Sequence, residues 1–128
     1  MKKQKKAKLV LMLCLIAVVF SGCSSIAKSA IAKLHNETID MSRVKDGTWK
    51  GSSEAGPVSV DVEVTVKASK IERVVLLRHD CGLGHKADVI VDDMKSGNTW
   101  DVDIVSGATV SSEVIKNAVN KALRSAMN

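Results

Sequence analysis

The sequence predicts an α+β fold: a small antiparallel sheet with helices packed on one face, in the order β-β-β-α-β-α. Two periodicities support this prediction. Apolar and polar residues alternate between positions 58 and 67, whereas apolar residues recur every three or four positions over 87–94 and 114–123. Strict alternation is typical of a half-buried strand, and the wider spacing is typical of an amphipathic helix. About 85 residues follow the N-terminal segments, which is enough for one small domain.

The chain begins with a segment typical of export. Five lysines within the first eight residues precede an apolar run over 9–20, which is shorter than the roughly 20 residues that span a bilayer and has the length of a signal-peptide core. Phe20-Ser21-Gly22-Cys23 resembles the lipobox of bacterial lipoproteins. We therefore expect a signal peptide over 1–22, a lipid on Cys23, and a location on the extracytoplasmic side of the cell membrane. A plain membrane anchor or a buried helix is the alternative.

The net charge does not indicate a nucleic-acid partner. Five of the 19 Lys and Arg residues precede Cys23, which leaves 14 to balance the 14 Asp and Glu residues. The formal charge of +5 therefore belongs to the predicted signal segment, and binding through phosphate contacts is not expected. Cys14 lies in that segment and Cys23 is expected to carry the lipid, so Cys81 has no partner for an intramolecular disulfide.

Residues 23–43 are interpreted as a spacer between the lipid and a domain that spans 44–128. Some apolar residues of the spacer also fit a short amphipathic helix: Ile26, Ala30, Ile31 and Leu34. The domain opens with a turn and a strand at Asp46-Gly47-Thr48-Trp49, and Gly56-Pro57 predicts the next turn.

Two further strands are predicted after that turn. The second strand has one buried face, formed by alternating valines: Val58, Val60, Val62, Val64 and Val66. A tight connection at 68–70 leads to a third strand over 71–78. Its run 74–77 is apolar on both faces, so we expect this strand in the middle of the sheet. The short links predict an antiparallel meander.

The rest of the domain is predicted to contain two helices and one short strand. Ala87, Ile90, Val91 and Met94 form one face of a helix, which ends at Ser96-Gly97-Asn98. Trp100–Val105 is predicted to be a fourth strand. The last helix runs to the C-terminus, with Ser111 or Ser112 as its N-cap and Glu113 in its first turn.

The segment before this last helix suits a phosphate group. Gly107 permits close backbone approach, and hydroxyl groups come from Ser106, Thr109, Ser111 and Ser112. Unpaired amides at a helix N-terminus attract anions. An ordinary helix cap rich in Ser and Thr is the alternative interpretation of the same residues.

Ser106-Gly107-Ala108-Thr109, with Asp103 before it and Ser111-Ser112 after it, resembles the flavinylation motif of the FMN-binding domain family. Members of that family include the G subunit of Rnf complexes and the C subunit of the sodium-translocating NADH:quinone oxidoreductase. In the family, a flavin transferase cleaves FAD and joins FMN through its phosphate to the last threonine of the motif. The resemblance implies covalent FMN on Thr109, held by neighbouring motif residues: Asp103, Ser106, Gly107, Ala108 and Ser111.

A second loop also resembles the family. Gly82-Leu83-Gly84 matches the end of a Glu-Thr-Pro-Gly-Leu-Gly loop that lies against the isoalloxazine ring, with His79-Asp80-Cys81 in place of Glu-Thr-Pro. The resemblance implies that Leu83 contacts the ring, that Gly82 and Gly84 allow close backbone approach, and that His79 and Asp80 are further cofactor contacts. Lys86, near the start of the next predicted helix, could reach the flavin or only solvent, and solvent is the expectation.

Two other interpretations of this loop are less well supported. Gly82-x-Gly84-x-x-Ala87 fits a dinucleotide fingerprint, but the hairpin strands and the short chain leave no room for a doubly wound sheet. His79, Cys81 and His85 are residue types that bind zinc or copper. Their spacing matches no common site and a fourth ligand is not evident, so no metal is expected.

The resemblance implies an electron-transfer carrier rather than a self-sufficient enzyme, and the sequence offers no candidate for a substrate base. The expected partners are a flavin transferase, a quinol- or NADH-linked membrane donor, an extracytoplasmic electron acceptor and the lipid bilayer. A lipoprotein that binds FMN non-covalently, or a flavin-free interaction lipoprotein, is the alternative.

Overall fold

The computed structural model describes residues 25–128, together with the isolated positions 4 and 6. Apart from those two positions, the predicted signal peptide lies outside the described residues, and so does Cys23. Residues 25–31 are helical. Within the described part of the chain, no helix combines the length and the apolar character needed to cross a membrane.

Three antiparallel strands form the sheet: β1 (Gly47–Ala55), β2 (Val58–Lys67) and β3 (Lys70–Asp80). Their spatial order is β1-β2-β3, so each strand pairs with the next one along the chain. This order confirms the predicted meander, and the helices beside it confirm the α+β class. At the β2–β3 turn, Ala68 and Ser69 have positive φ angles of 51° and 61°, as in hairpin turns that follow the strand twist.

The alternation of β2 is realised as predicted. Its five valines face the core and none is more than 7% exposed, while the polar residues between them are half-buried on the other face. Burying a valine side chain fully contributes about 1.5–3 kcal/mol to stability. This strand therefore supplies much of the apolar surface on which the helices pack.

The prediction that the third strand is central is wrong, because β2 occupies the middle of the sheet and β3 pairs only with β2. Val74, Val75 and Leu76 are half-buried, and Leu77 is 51% exposed. A run that is apolar on both faces does not distinguish a central strand from an edge strand that has one face covered only in part.

β3 also contains an irregularity at Leu77. Asp61 pairs with Arg78 and Val62 with Leu76, so Leu77 has no partner in the ladder. An extra residue of this kind reverses the alternation of the side chains beyond it. As a result, His79 lies opposite the buried Val60, and its side chain is only 4% exposed.

The helices pack on the valine face of the sheet. A 3-10 helix (Gly84–Val89) leads into α1 (Ile90–Gly97), and α2 spans Thr109–Ser125. α1 lies against β3, and α2 lies against β1 and β2. The predicted apolar stripe of α2 is fully buried: Val114, Ile115, Ala118, Val119, Ala122 and Leu123. α1 ends at Asn98 in the left-handed conformation, which confirms the predicted stop.

The predicted fourth strand at Trp100–Val105 is wrong, since these residues adopt no regular strand. Their amides form local bonds instead: Asp101 N donates to Thr99 Oγ1 (3.1 Å) and Val102 N to Trp100 O (3.2 Å). Val102 and Val105 pack against the core, whereas Ile104 is 42% exposed. The alternation therefore does not match the burial here, and among the described residues no neighbouring strand supplies a ladder.

The segment predicted as a spacer contacts the domain over part of its length. Buried Asn117 of α2 donates to His35 O (2.8 Å), and buried Asn120 exchanges bonds with the backbone of Glu37 at 2.7 and 3.1 Å. Arg124 forms an ion pair with Glu37 at 2.6 Å. Residues 35–37 are thus fixed along the surface of α2.

Candidate functional site

Two loops and a turn form a cleft of about 420 Å³ at the start of α2. One wall is the Cys81–Gly84 loop after β3, the other is the Gly107–Ser111 segment, and the Pro57-Val58 turn closes one end. The structure thus brings together the two loops that the sequence analysis selected separately. Two larger clefts, of about 500 and 610 Å³, contain none of the predicted flavin-site residues, so their size does not make them better candidates for this chemistry.

The free amides at the start of α2 face no acceptor. The helix begins at Thr109, and Ala108 O accepts the first backbone bond, from Ser112 N at 2.9 Å. Among the described residues, no hydrogen bond uses the amides of Thr109, Val110 or Ser111. Such unpaired donors, aligned with the helix dipole, favour an anionic group. The exposed Thr109 therefore carries its hydroxyl group at a position suited to phosphate.

The prediction that Ser111 or Ser112 caps this helix is wrong, because both lie inside its first turn and no side chain caps it. Ser112 is fully buried and has another role: its Oγ donates to Ala108 O (2.8 Å) and accepts from Val105 N (3.0 Å). One hydroxyl group thus joins the irregular segment before the turn to the beginning of α2. The prediction that Glu113 lies in the first turn is wrong as well, because this residue follows that turn.

Two glycines allow the two loops of the cleft to pack closely against each other. Gly107 has a φ of +80°, which glycine adopts at little cost. A Cβ atom on Gly84 would lie 2.0 Å from Ser111 Oγ and 2.9 Å from Ser111 Cβ. The loop after β3 therefore packs directly on the first turn of α2, and residue 84 has no room for a side chain.

The rim of the cleft exposes an apolar side chain. Leu83 is 95% exposed, and a Cβ atom on the neighbouring Gly82 would meet no atom within 4 Å. An exposed leucine on its own needs no explanation. Its position on the wall of a cleft with a free helix N-terminus gives a planar ring an apolar surface to contact.

Lys86 lies closer to the cleft than the sequence analysis expects. Its side chain is exposed, as predicted, but Nζ lies 3.4 Å from the position that a Cβ atom on Gly107 would take. An ammonium group therefore stands next to the turn that precedes Thr109. Its position two residues after Gly84 is the only sequence signal for this contact.

The other predicted residues do not line the cleft. Asp103 and Ser106 are exposed in the segment before α2. Asp80 points outward and pairs with Arg78 at 3.4 Å. His79 is buried, and its Nδ1 lies 2.5 Å from Asp88 Oδ1.

The family described as FMN-binding domain matches residues 54–124, which include both walls of the cleft. No curated protein matches the chain.

Proposed function

Because this chain belongs to the FMN-binding domain family, we propose that its flavin-binding domain carries FMN as a phosphoester on Thr109 and transfers electrons on the extracytoplasmic side of a membrane. Membership of the family supports flavin binding. The covalent bond, the electron transfer and the location are our proposals.

One observation carries the proposal: the exposed Thr109 begins a helix whose first three amides have no partner among the described residues, and the Lys86 ammonium group lies beside the preceding Gly107. These residues fit the phosphate of FMN. The amides and the helix dipole favour an anion by only about 0.3–1 kcal/mol at an exposed site. A reversible complex held by these contacts would lose its flavin outside the cell, whereas an ester bond retains it.

The other wall fits the ring. Leu83 offers apolar surface, and the absence of neighbouring atoms at Gly82 leaves room for a planar group. When bound, FMN supplies the redox chemistry, while the protein supplies attachment, orientation and electrostatic environment. The described lining of the cleft contains no His, Asp, Glu or Lys, and its one readily titratable side chain is Cys81. That composition suits a carrier better than an enzyme that abstracts a substrate proton.

The attachment reaction balances with FAD as the donor. Thr109 Oγ1 forms a bond to the phosphorus on the riboflavin side of FAD, AMP leaves with the pyrophosphate oxygen, and the hydroxyl proton is released. A flavin transferase is the proposed catalyst. The exposed position of Thr109 leaves its hydroxyl group accessible to such an enzyme.

The proposed anchor is a lipid on Cys23, which would hold the carrier near a quinol- or NADH-linked donor in the membrane. Residues 25–34 lie between that cysteine and the first bonds to α2 at His35. A Cys23→Ser variant that partitions into membranes as the wild type does would contradict the anchor.

The flavin proposal is tested by co-expressing the protein with a flavin transferase and precipitating it with acid. We expect flavin absorbance to remain with wild-type protein, and the intact mass to rise by one FMN ester. Thr109→Ala should lose both signals, while Thr38→Ala, an exposed threonine away from the cleft, should keep them.

Colourless wild-type protein under these conditions would contradict flavin carriage and favour a flavin-free interaction lipoprotein. Flavin that copurifies but is released by acid would contradict the ester and favour non-covalent binding. Reduction of the loaded protein by membranes supplied with quinol or NADH, followed by reoxidation by an external acceptor, tests the electron-transfer role.

A further inference from the structure

Three potential metal ligands converge beneath the loop that forms one wall of the cleft. His79, Cys81 and His85 each offer a ligand atom, and these atoms all lie within 4.8 Å of one another. The two imidazole rings meet edge to face, with centroids 5.3 Å apart. Their spacing in sequence gave no known site, but the β3 bulge and the following 3-10 helix bring them together.

His79 provides an independent indication that a ligand belongs here. Its side chain is 96% buried, and Nδ1 is engaged by Asp88 Oδ1 at 2.5 Å. Among the described residues, Nε2 has no hydrogen-bond partner, although it is fully buried. If Nδ1 carries the proton that faces the carboxylate, Nε2 presents a lone pair. A buried lone pair without a donor is the arrangement that a metal-binding imidazole has before the ion enters.

Asp88 supports both histidines. Its Oδ1 contacts His79, and its Oδ2 lies 3.7 Å from His85 Nδ1. Histidine ligands commonly donate their second ring nitrogen to a carboxylate, which orients the ring and strengthens the metal bond. Nε2 of His79 therefore remains for the metal, whereas His85 Nδ1 is beyond hydrogen-bond distance of Asp88, so either nitrogen of that ring can serve as the ligand.

We propose that His79, Cys81 and His85 bind one Zn²⁺ or Cu⁺ ion, with Asp88 as the supporting carboxylate and one coordination position open. The thiolate and imidazole donors select borderline and soft cations over Ca²⁺ and Mg²⁺, which require oxygen ligands. Three protein ligands are sufficient when the fourth position holds water or substrate. A metal site of this kind therefore does not require a fourth protein ligand.

The site must contract slightly when it binds the ion. Metal bonds of about 2.0–2.3 Å place tetrahedral ligand atoms roughly 3.3–3.7 Å apart, about 1 Å closer than the widest separation here. His85 can make this movement because its side chain is 67% exposed, and Gly82 has free space around it. Binding releases the Cys81 thiol proton to solvent, so two neutral imidazoles and one thiolate surround the ion.

The site is independent of the proposed ester, although Cys81 also lines the flavin cleft. The test therefore uses the full-length chain with and without flavin, freed of metal by a chelator. Zn²⁺ and Cu⁺ are titrated against a competing chromophoric chelator, and Co²⁺ is added as a spectroscopic probe. We expect one equivalent to bind and a thiolate-to-cobalt charge-transfer band to appear, and Thr109→Ala should bind the metal as the wild type does.

Matched variants distinguish the proposed metal ligands from residues that do not bind the metal. Cys81→Ser should abolish the charge-transfer band, and His85→Ala should weaken binding by at least 100-fold without affecting folding, since this side chain is exposed. Asp88→Ala should weaken binding about 10–100-fold. His35→Ala, an exposed histidine elsewhere, should change nothing.

Failure of the wild type to bind stoichiometric metal in either flavin state would overturn the proposal, as would a band that survives in Cys81→Ser. Equal losses in His35→Ala and His85→Ala would also overturn it, because they would indicate adventitious binding. Flavin retention after acid tests a separate bond, so neither result decides the other.

Discussion

The contact between the two cleft walls makes Gly84→Ala the most direct test of the site geometry. A Cβ atom at this position would lie 2.0 Å from Ser111 Oγ and 2.9 Å from Ser111 Cβ. Optimal contacts between non-bonded heavy atoms are about 3.5–4.0 Å, so the loop and the helix must separate by about 1.5 Å. Ser111 is buried at 3% exposure, and its Cβ atom, which is fixed to the helix backbone, is part of the overlap.

The expected cost of Gly84→Ala follows from this overlap. Overpacking a well-packed position costs about 1–3 kcal/mol of unfolding free energy. For a domain of this size, each kcal/mol lowers the Tm by about 4–8 °C, so we expect a fall of roughly 4–24 °C. Gly82→Ala is the matched control, because its Cβ atom meets nothing within 4 Å. The control should be neutral or stabilising by up to about 1 kcal/mol, since alanine restricts the unfolded chain.

Urea unfolding monitored by tryptophan fluorescence measures both variants in the full-length chain. Adding Ser111→Ala to Gly84→Ala removes the 2.0 Å contact but leaves the one at 2.9 Å, so stability should recover in part. The double-mutant cycle should give a coupling energy of about 0.5–3 kcal/mol. Equal destabilisation by Gly82→Ala and Gly84→Ala, or no coupling to Ser111, would refute the proposed contact between the loops.

Three further outcomes are expected. Gly51→Ala should destabilise the domain more than Gly84→Ala does in thermal unfolding, because its Cβ atom would lie 2.0 Å from a backbone carbonyl of α2, which cannot rotate away. A hydrogen bond from the Ser52 hydroxyl group, with a smaller contribution from Arg78, holds the pKa of the Asp61 carboxyl below its ordinary value. The resulting stabilisation is present at neutral pH and is lost as the pH falls through the lowered pKa. Ser52→Ala should therefore raise that pKa in an NMR titration and flatten the acid side of the stability profile. In protein that has not been flavinylated, Lys86→Ala should weaken FMN binding by no more than about fivefold in a fluorescence titration, since an exposed ion pair contributes ~0.2–1 kcal/mol, and Lys95→Ala should have no effect.

The sequence predicts an element correctly where its apolar periodicity coincides with burial in the structure. The alternating valines predict β2, and the apolar stripe predicts α2, because each pattern follows from one face packing on the core. The same reasoning wrongly predicts a fourth strand at 100–105. Two valines of this segment pack on the core, but among the described residues no neighbouring strand accepts their backbone hydrogen bonds. In this segment the pattern indicates neither what the amides pair with nor which residues are buried, since Ile104 is 42% exposed.

The errors near the site come from single residues that change register or geometry. The extra residue at Leu77 turns His79 toward the core, and no periodic pattern reveals such an insertion. Ser112 is a residue type that commonly caps helices, but it bonds inward to Val105 and Ala108, and the helix begins four residues earlier than a cap at Ser112 would place it. Lys86 lies beside Gly107, which is 21 positions later in the sequence, and only the folded loop brings the two residues together.

These features divide the cleft into a fixed side and an open side. The Ser112 hydroxyl group holds the beginning of α2, and Gly84 presses the loop onto the same turn, so the proposed attachment point at Thr109 stands on a rigid base. The ring side, by contrast, offers one leucine that is 95% exposed and a cleft of about 420 Å³ that is open to solvent. A leucine that stands this far into solvent would cover little of a flavin ring, so contacts on that side would hold the ring only weakly. The proposed ester would resolve this mismatch, because it would retain the cofactor while leaving the ring accessible to the proposed donor and acceptor.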